Sequence, residues 1–233
     1  GDQTRLKQIA ERRWLRTLDN RLGVSWEEAK RLEHSTLSSL PVEEPLLADR
    51  LDHLIERADQ EVIAPDNRWG FKLEVPQYKF NRGELHNLSI ARGTLTAEER
   101  YIINHHIVQT ILMLNRLPFP PHLRNVAEIA GGHHEKMDGS GYPKRLKRED
   151  MSLPARMMAI ADIFEALTAS DRPYKKAKTL SEAVKILSFF KKDGHIDPVL
   201  FDLFLRSGVY RRYAERFLLP EQLDEVDIER FLG

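Results

Sequence analysis

Residues 155–167 constrain the fold of this chain more than any other segment. The segment is apolar on most sides and contains one interior carboxylate, Asp162. A helix that is hydrophobic all round is buried, so we expect a core helix that starts near Pro154 and runs to about Ala169. A buried carboxylate needs a compensating partner, which is a metal ion, Arg156 or an arginine of the following loop.

Most of the remaining periodicity is also helical. Apolar residues recur at three- and four-residue steps in residues 4–33 and 46–63, and Ser25 and Thr96 begin capping-box patterns. Residues 71–75 alternate briefly, which predicts a short strand or hairpin arm. Further helices are predicted for residues 96–117, for residues 123–130, after a cap at Ser181, and from Pro198 to about Ser207. The expected fold class is all-α.

Proline and glycine positions divide the chain into three parts. Residues 1–65 are predicted to be an N-terminal helical region, which is either a cap or a signalling helix. The helices of this region are candidates for homodimerisation. Residues 66–94 are an irregular connector, and residues 95–233 are a helical domain. The charged start of the chain is interpreted as the boundary of a fragment of a longer protein.

Composition excludes several classes of protein. Lys plus Arg and Asp plus Glu both number 36, so the formal charge is zero. This balance argues against a nucleic-acid polymer or an anionic membrane surface as the main partner. Because the chain has no cysteine, a metal must be held by His, Asp or Glu. No apolar run approaches the roughly 18 residues of a membrane span, and no signal peptide is visible, so a cytoplasmic location is expected.

The chemistry is concentrated in residues 131–143, Gly-Gly-His-His-Glu-Lys-Met-Asp-Gly-Ser-Gly-Tyr-Pro. Two adjacent imidazoles at a helix end either converge on metal ions or lie at the surface as ordinary histidines. The glycines and Tyr142 favour a loop that binds a ligand with a phosphate and a base. A zincin site is excluded, because Asp138 stands where its second histidine is needed.

Two other features point to an anionic ligand near a metal. His106 lies beside an apolar helical stripe, where it is either a core histidine or another ligand. Residues 144–148 and 172–178 are rich in lysine and arginine, which bind phosphate or are simply solvated.

Together these strings resemble the HD-GYP family, a subgroup of the HD-type metal-dependent phosphohydrolases. The resemblance covers about residues 84–210. It rests on Leu95-Thr96, Glu98-Glu99, His106, His133-His134-Glu135, Asp138 to Pro143, Arg156, Ala161-Asp162, Ala166 to Thr168, and Arg172 to Lys175. It implies an HD-domain-like helical bundle with a GYP loop and one or two divalent metal ions, iron or manganese. It also implies action on the bacterial second messenger cyclic di-GMP, behind an upstream sensory or receiver domain.

The resemblance carries over roles by position. The implied metal ligands are His106, His133, His134 and Asp162. If only one ion binds, we expect it to be held by His133, His134 and Asp162, together with either His106 or Glu135. The implied ligand-binding residues are Gly141, Tyr142, Pro143, Arg172 and Lys175.

The family's namesake His-Asp pair is expected upstream of Leu95, but the chain contains no His-Asp dipeptide. His86-Asn87 is the nearest similar pair, and a neutral asparagine cannot bridge two cations as a carboxylate does. Two hypotheses follow. The first is a degenerate domain with weak or conditional metal-dependent phosphodiester hydrolysis. The second is a non-catalytic signalling module that binds a cyclic nucleotide or a protein partner on the same scaffold.

Overall fold

The computed structural model describes residues 3–33, 39–91, 93–170 and 177–233. Helices dominate, and the described residues add only two small two-stranded sheets, so the predicted helical fold class is confirmed. The chain forms two compact units, an N-terminal unit (Gly1–Ile63 and Glu74–Ile103) and a C-terminal unit (Ala64–Leu73 and Asn104–Gly233). The three-part division made from the sequence remains a proposal.

The N-terminal unit mixes short helices with strands. β1 pairs with β2 and β3 pairs with β4, both antiparallel. In chain order the elements are α1 (Gln3–Ala10), β1 (Arg13–Arg16), α2 (Trp26–Leu32), β2 (Val42–Pro45), β3 (Leu54–Glu56), β4 (Tyr78–Asn81) and α3 (Glu84–Leu88).

The prediction of a first helix from residue 4 to a stop at residues 20–23 is wrong at residues 13–16, which form β1. Across the β1–β2 pair, Arg16 Nη2 lies 2.9 Å from Glu44 Oε1. This ion pair and the backbone ladder stabilise a strand in a segment whose apolar spacing also fits a helix. The capping box at Ser25 is confirmed, since Ser25 Oγ accepts the Glu28 N–H and the Glu28 carboxylate accepts the Ser25 N–H.

The helix predicted for residues 46–63 is also wrong. Short 3-10 turns flank β3 there, and β3 makes its backbone bonds with β4 instead of locally. Long-range pairing thus overrides the local pattern. The strand predicted at residues 71–75 is displaced, because β4 begins only at Tyr78. The Lys72 N–H instead donates to the Pro143 carbonyl at 2.7 Å.

The C-terminal unit is built from helices, each of which buries apolar side chains. They are α4 (Ala97–Leu114, whose first residues belong to the N-terminal unit), α5 (Val126–Gly131), α6 (Leu153–Thr168), α7 (Leu180–Lys192), α8 (Pro198–Arg206) and α9 (Val209–Phe217). The core side chains come from α6 to α9 and from the connection between α7 and α8, which supplies Ile196. The others include Ile160, Phe164, Val184, Leu187, Phe201, Leu205, Tyr210 and Ala214. The buried helix expected around Asp162 is therefore α6, although its burial is one-sided, with Met157 53% exposed.

Helix caps mostly follow the sequence. The Thr96 capping box is confirmed, with Thr96 Oγ1 accepting the Glu99 N–H at 3.2 Å. The cap predicted at Ser181 is wrong, because Thr179 caps α7 and Ser181 lies inside the helix. Ser181 donates to Asp224 instead, through its amide at 2.8 Å and its hydroxyl at 2.5 Å.

Candidate functional site

Three imidazoles converge in the C-terminal unit. His106 projects from α4, and His133 and His134 follow the end of α5. One nitrogen from each ring lies within 4.8 Å of the other two, a grouping that can hold a metal ion. Within this group, His134 Nε2 lies 3.3 Å from His106 Nε2. Helix α5 is therefore the element that delivers the adjacent histidines to His106.

The ring of His133 is oriented by the backbone. Its Nδ1 lies 2.7 Å from the Ala130 carbonyl oxygen. A carbonyl oxygen only accepts, so Nδ1 carries a proton, and in the neutral tautomer with this bond Nε2 has the lone pair that a metal needs. Metal-binding histidines in proteins are commonly oriented by such a bond.

His134 is neutral near pH 7. Burial, followed by the charges of His133, His106 and His195 in that order, lowers its pKa from 6.5 to about 4. A neutral imidazole can coordinate a metal, whereas a protonated one cannot.

His195 is a neighbour of the site that the sequence reasoning missed. It precedes α8 by three residues and is half-buried, and burial followed by the charge of Lys136 lowers its pKa. Because His195 is a single histidine outside any recognisable motif, the sequence gives no signal that it lies near His134.

The loop of residues 139–150, here called the ligand loop, packs against the histidines. The Tyr142 ring stacks on the His134 ring with centroids 4.7 Å apart, and the Tyr142 N–H donates to the His134 carbonyl at 3.2 Å. Burial raises the pKa of the Tyr142 phenol, and the charge of Asp162 raises it further. The phenol therefore keeps its proton at neutral pH.

Gly141 and Pro143 shape this loop without offering polar side chains. A Cβ at Gly141 would lie 2.4 Å from Lys136 N and 2.5 Å from Glu135 Cα, so only glycine fits without a shift. Pro143 is fully buried, and its carbonyl accepts the Lys72 N–H. Their positions fix the approach of Tyr142 to His134.

Asp162 lies half-buried on α6, near enough for its charge to raise the Tyr142 pKa. It is not in the three-histidine cluster that the described residues form. Arg156, one alternative partner for Asp162, directs its Nη1 to Asp197 Oδ2 at 2.5 Å. Asp197 is fully buried and also accepts from Arg148 Nε at 2.8 Å.

Glu135 is not an open metal ligand. Its side chain is fully buried, and its two oxygens accept the backbone N–H groups of Lys144 and Leu146. Burial raises its pKa, against the lowering effect of those N–H groups. The geometry thus gives no support to the alternative in which Glu135 contributes to metal binding, and the histidine cluster of the described residues does not include it.

Two other parts of the expected site have separate outcomes. Arg172 and Lys175 lie outside the described residues. The segment in which the resemblance expects the His-Asp pair forms β4 and α3 of the N-terminal unit, where His86 Nε2 lies 3.5 Å from Glu98 Oε2.

A sequence profile of the HD domain family matches residues 41–200. Similar proteins include 3′3′-cGAMP-specific phosphodiesterase 1 of Vibrio cholerae, 44% identical over 83 residues, which are 36% of this chain and 19% of that protein. A cyclic di-GMP phosphodiesterase of Thermotoga maritima is 38% identical over 125 residues, 52% of this chain and 33% of that protein. A cyclic di-GMP phosphodiesterase response regulator of Xanthomonas campestris is 30% identical over 202 residues, which are 82% of this chain and 52% of that protein.

The family match spans most of the chain, so the chain belongs to the HD domain family of phosphohydrolases. The chain spans about half the length of these relatives or less. Within the described part of the chain, no helix is both long and apolar enough to cross a membrane.

Proposed function

We propose that this chain is an HD-GYP-type phosphodiesterase domain that hydrolyses cyclic di-GMP slowly or conditionally, as an output of bacterial second-messenger signalling. The observation that carries the proposal is the meeting of three imidazoles with the Tyr142 ring in a member of the HD domain family. The relatives named above act on cyclic dinucleotides according to their names.

In this proposal His106, His133, His134 and Asp162 hold one or two divalent ions, iron or manganese. The donor set fits such an ion, because imidazole suits iron and carboxylate oxygen suits manganese. When bound, the metal supplies Lewis-acid activation of water and of the phosphoryl oxygens. Ala130 keeps the lone pair of His133 Nε2 available, and burial keeps His134 neutral.

The ligand loop would hold the nucleotide. The protonated phenol of Tyr142 can donate a hydrogen bond to a phosphate oxygen or present its ring to a base. Gly141 and Pro143 hold that ring in place. Arg172 and Lys175 would neutralise the phosphates, as the resemblance implies.

Slow turnover is proposed because the chain has no His-Asp dipeptide to supply a bridging carboxylate. In the segment expected to hold that pair, His86 contacts Glu98. Imidazoles supply no negative charge, so a site of three imidazoles and one carboxylate compensates less cation charge than a site with a second, bridging carboxylate. This difference supports a lower affinity for a second ion.

Metal analysis combined with a cyclic di-GMP hydrolysis assay tests the proposal. The protein loaded with iron or manganese should release a linear product, and chelator or His134→Ala should abolish release. His122→Ala, which removes an exposed histidine from a short 3-10 helix, is the matched control and should leave both readouts unchanged. Ligand binding without turnover at any metal loading would instead favour the non-catalytic signalling module.

The cellular setting is also a proposal. We propose a cytoplasmic protein that works behind a sensory or receiver domain and forms a homodimer. Light scattering of the purified chain tests the homodimer, and a monomer at micromolar concentration would contradict it.

A further inference from the structure

Glu135 connects the metal-binding histidines to the ligand loop. It follows His134 directly in the sequence, and its side chain is fully buried. Oε1 accepts the Lys144 N–H at 2.6 Å, and Oε2 accepts the Leu146 N–H at 2.9 Å. One carboxylate therefore fixes the chain immediately after Pro143.

The chain before Pro143 is fixed to the same place by backbone contacts. The Tyr142 N–H donates to the His134 carbonyl at 3.2 Å. Gly141 packs so closely on Glu135 that an added Cβ would lie 2.5 Å from the Glu135 Cα. Residues 134–135 thus hold the loop on both sides of the Tyr142–Pro143 step.

We propose that Glu135 is a positioning residue, which sets the place of Tyr142 relative to the metal-binding imidazoles without itself touching metal or substrate. Its consequence for ligand binding rests on the proposed function. An acidic side chain is needed at this position, because its partners, the backbone N–H groups of Lys144, Leu146 and Arg145, are all donors and a carboxylate accepts with both oxygens. Glutamine would offer one acceptor and turn an NH₂ group towards the other amide, leaving a buried donor unpaired.

Glu135→Gln tests the proposal, with Glu149→Gln as the control for loss of an exposed carboxylate from the same loop. Three quantities are measured for both variants and the wild type. These are amide hydrogen exchange at residues 144–146, metal bound per chain, and affinity for cyclic di-GMP. In Glu135→Gln we expect exchange to accelerate at least about tenfold and affinity to fall about tenfold, since one buried hydrogen bond is lost. Metal content should stay at the wild-type level, and Glu149→Gln should change nothing.

The outcomes separate this inference from the proposed function. Wild-type exchange and affinity in Glu135→Gln would overturn the positioning role, and so would loss of the bound metal in step with loss of affinity. A wild-type protein that binds no cyclic di-GMP would end the proposed function, while the exchange rates at residues 144–146 would still decide the role of Glu135. If Glu135→Gln does not fold, Glu135→Asp keeps the charge but shortens the side chain, and the same changes are expected at smaller size.

Discussion

The rings of His134 and Tyr142 are stacked, with centroids 4.7 Å apart and planes inclined by 22°. Burial is the largest cause of the low His134 pKa and of the high Tyr142 pKa. The same packing therefore keeps the imidazole unprotonated and the phenol protonated. Both states suit the proposed site, since one group is ready to coordinate and the other is ready to donate.

Acidification should destabilise the metal-free protein between pH 6.5 and pH 4. The unfolded chain binds a proton at His134 near its ordinary pKa of 6.5, while the folded chain does so only at about 4. The unfolded state thus holds more protons in this window, so stability rises with pH and is lost as pH falls through it. The expected loss is on the order of 1–3 kcal/mol.

Urea unfolding at several pH values measures this effect. Replacement of the titrating group in His134→Gln should flatten the pH dependence between pH 4 and pH 6.5. His122→Gln should keep the wild-type slope, because that side chain is exposed. Equal slopes in all three proteins would contradict the assignment to His134.

Gly141→Ala should distort the ligand loop. The new methyl group would lie 2.4–2.6 Å from backbone atoms of Glu135 and Lys136, which cannot move aside as a side-chain tip can. We expect a loss of about 1–3 kcal/mol in unfolding free energy, and loss of cyclic di-GMP binding. Gly23→Ala meets no atom within 4 Å and carries only the strain of its positive φ, so it should leave ligand binding intact. Denaturant unfolding and calorimetric titration measure the two quantities.

Asp197→Asn should strongly destabilise the C-terminal unit. Asp197 is fully buried and accepts from two arginines and from the N–H groups of Val199 and Leu200 at the start of α8. The amide would leave Arg156, whose side chain is 17% exposed, without its counter-ion, and it would also remove the partner of the half-exposed Arg148. The expected cost is about 3 kcal/mol. The melting temperature should fall by roughly 10 °C. Asp193→Asn, at an exposed position, should melt like the wild type, and similar melting of both variants would refute this account.

Asp162→Asn should weaken metal binding more than folding. The carboxylate is half-buried on α6 beside Tyr142, and the amide keeps its shape but removes the charge. We expect affinity for manganese to fall about 10- to 100-fold. Unfolding free energy in chelator should change by less than about 1 kcal/mol. Unchanged manganese affinity by titration would remove Asp162 from the proposed ligand set.

The parts of the site that were predictable are those carried by contiguous residues. His133 and His134 at a helix end, the Thr96 cap that starts α4, and the packed loop at Tyr142 all follow from short strings. The meeting of His106 with this pair depends on how α4 packs in the C-terminal unit. The resemblance to the HD-GYP family predicts that His106 meets this pair, whereas helical periodicity does not.

The errors arose where a distant partner decides the local structure. Residues 13–16 and 54–56 have helical spacing, yet strands at 42–45 and 78–81 pair with them. Glu135 and Arg156 were assigned by their nearness in sequence to other site residues. Their hydrogen bonds run instead to Lys144 and Leu146, and to Asp197. Such pairings are set by tertiary packing, which a one-dimensional pattern does not contain.

Residues 64–73 are grouped with the C-terminal unit, although the chain on either side of them belongs to the N-terminal one. Within that short stretch, Phe71 is buried and the Lys72 amide holds the Pro143 carbonyl. A truncated protein that begins at residue 95 would lack residues 64–73 along with the rest of the N-terminal half. A truncated protein for biochemical work therefore has to keep residues 64–73. Without them, the ligand loop would lose the hydrogen bond from the Lys72 amide to the Pro143 carbonyl.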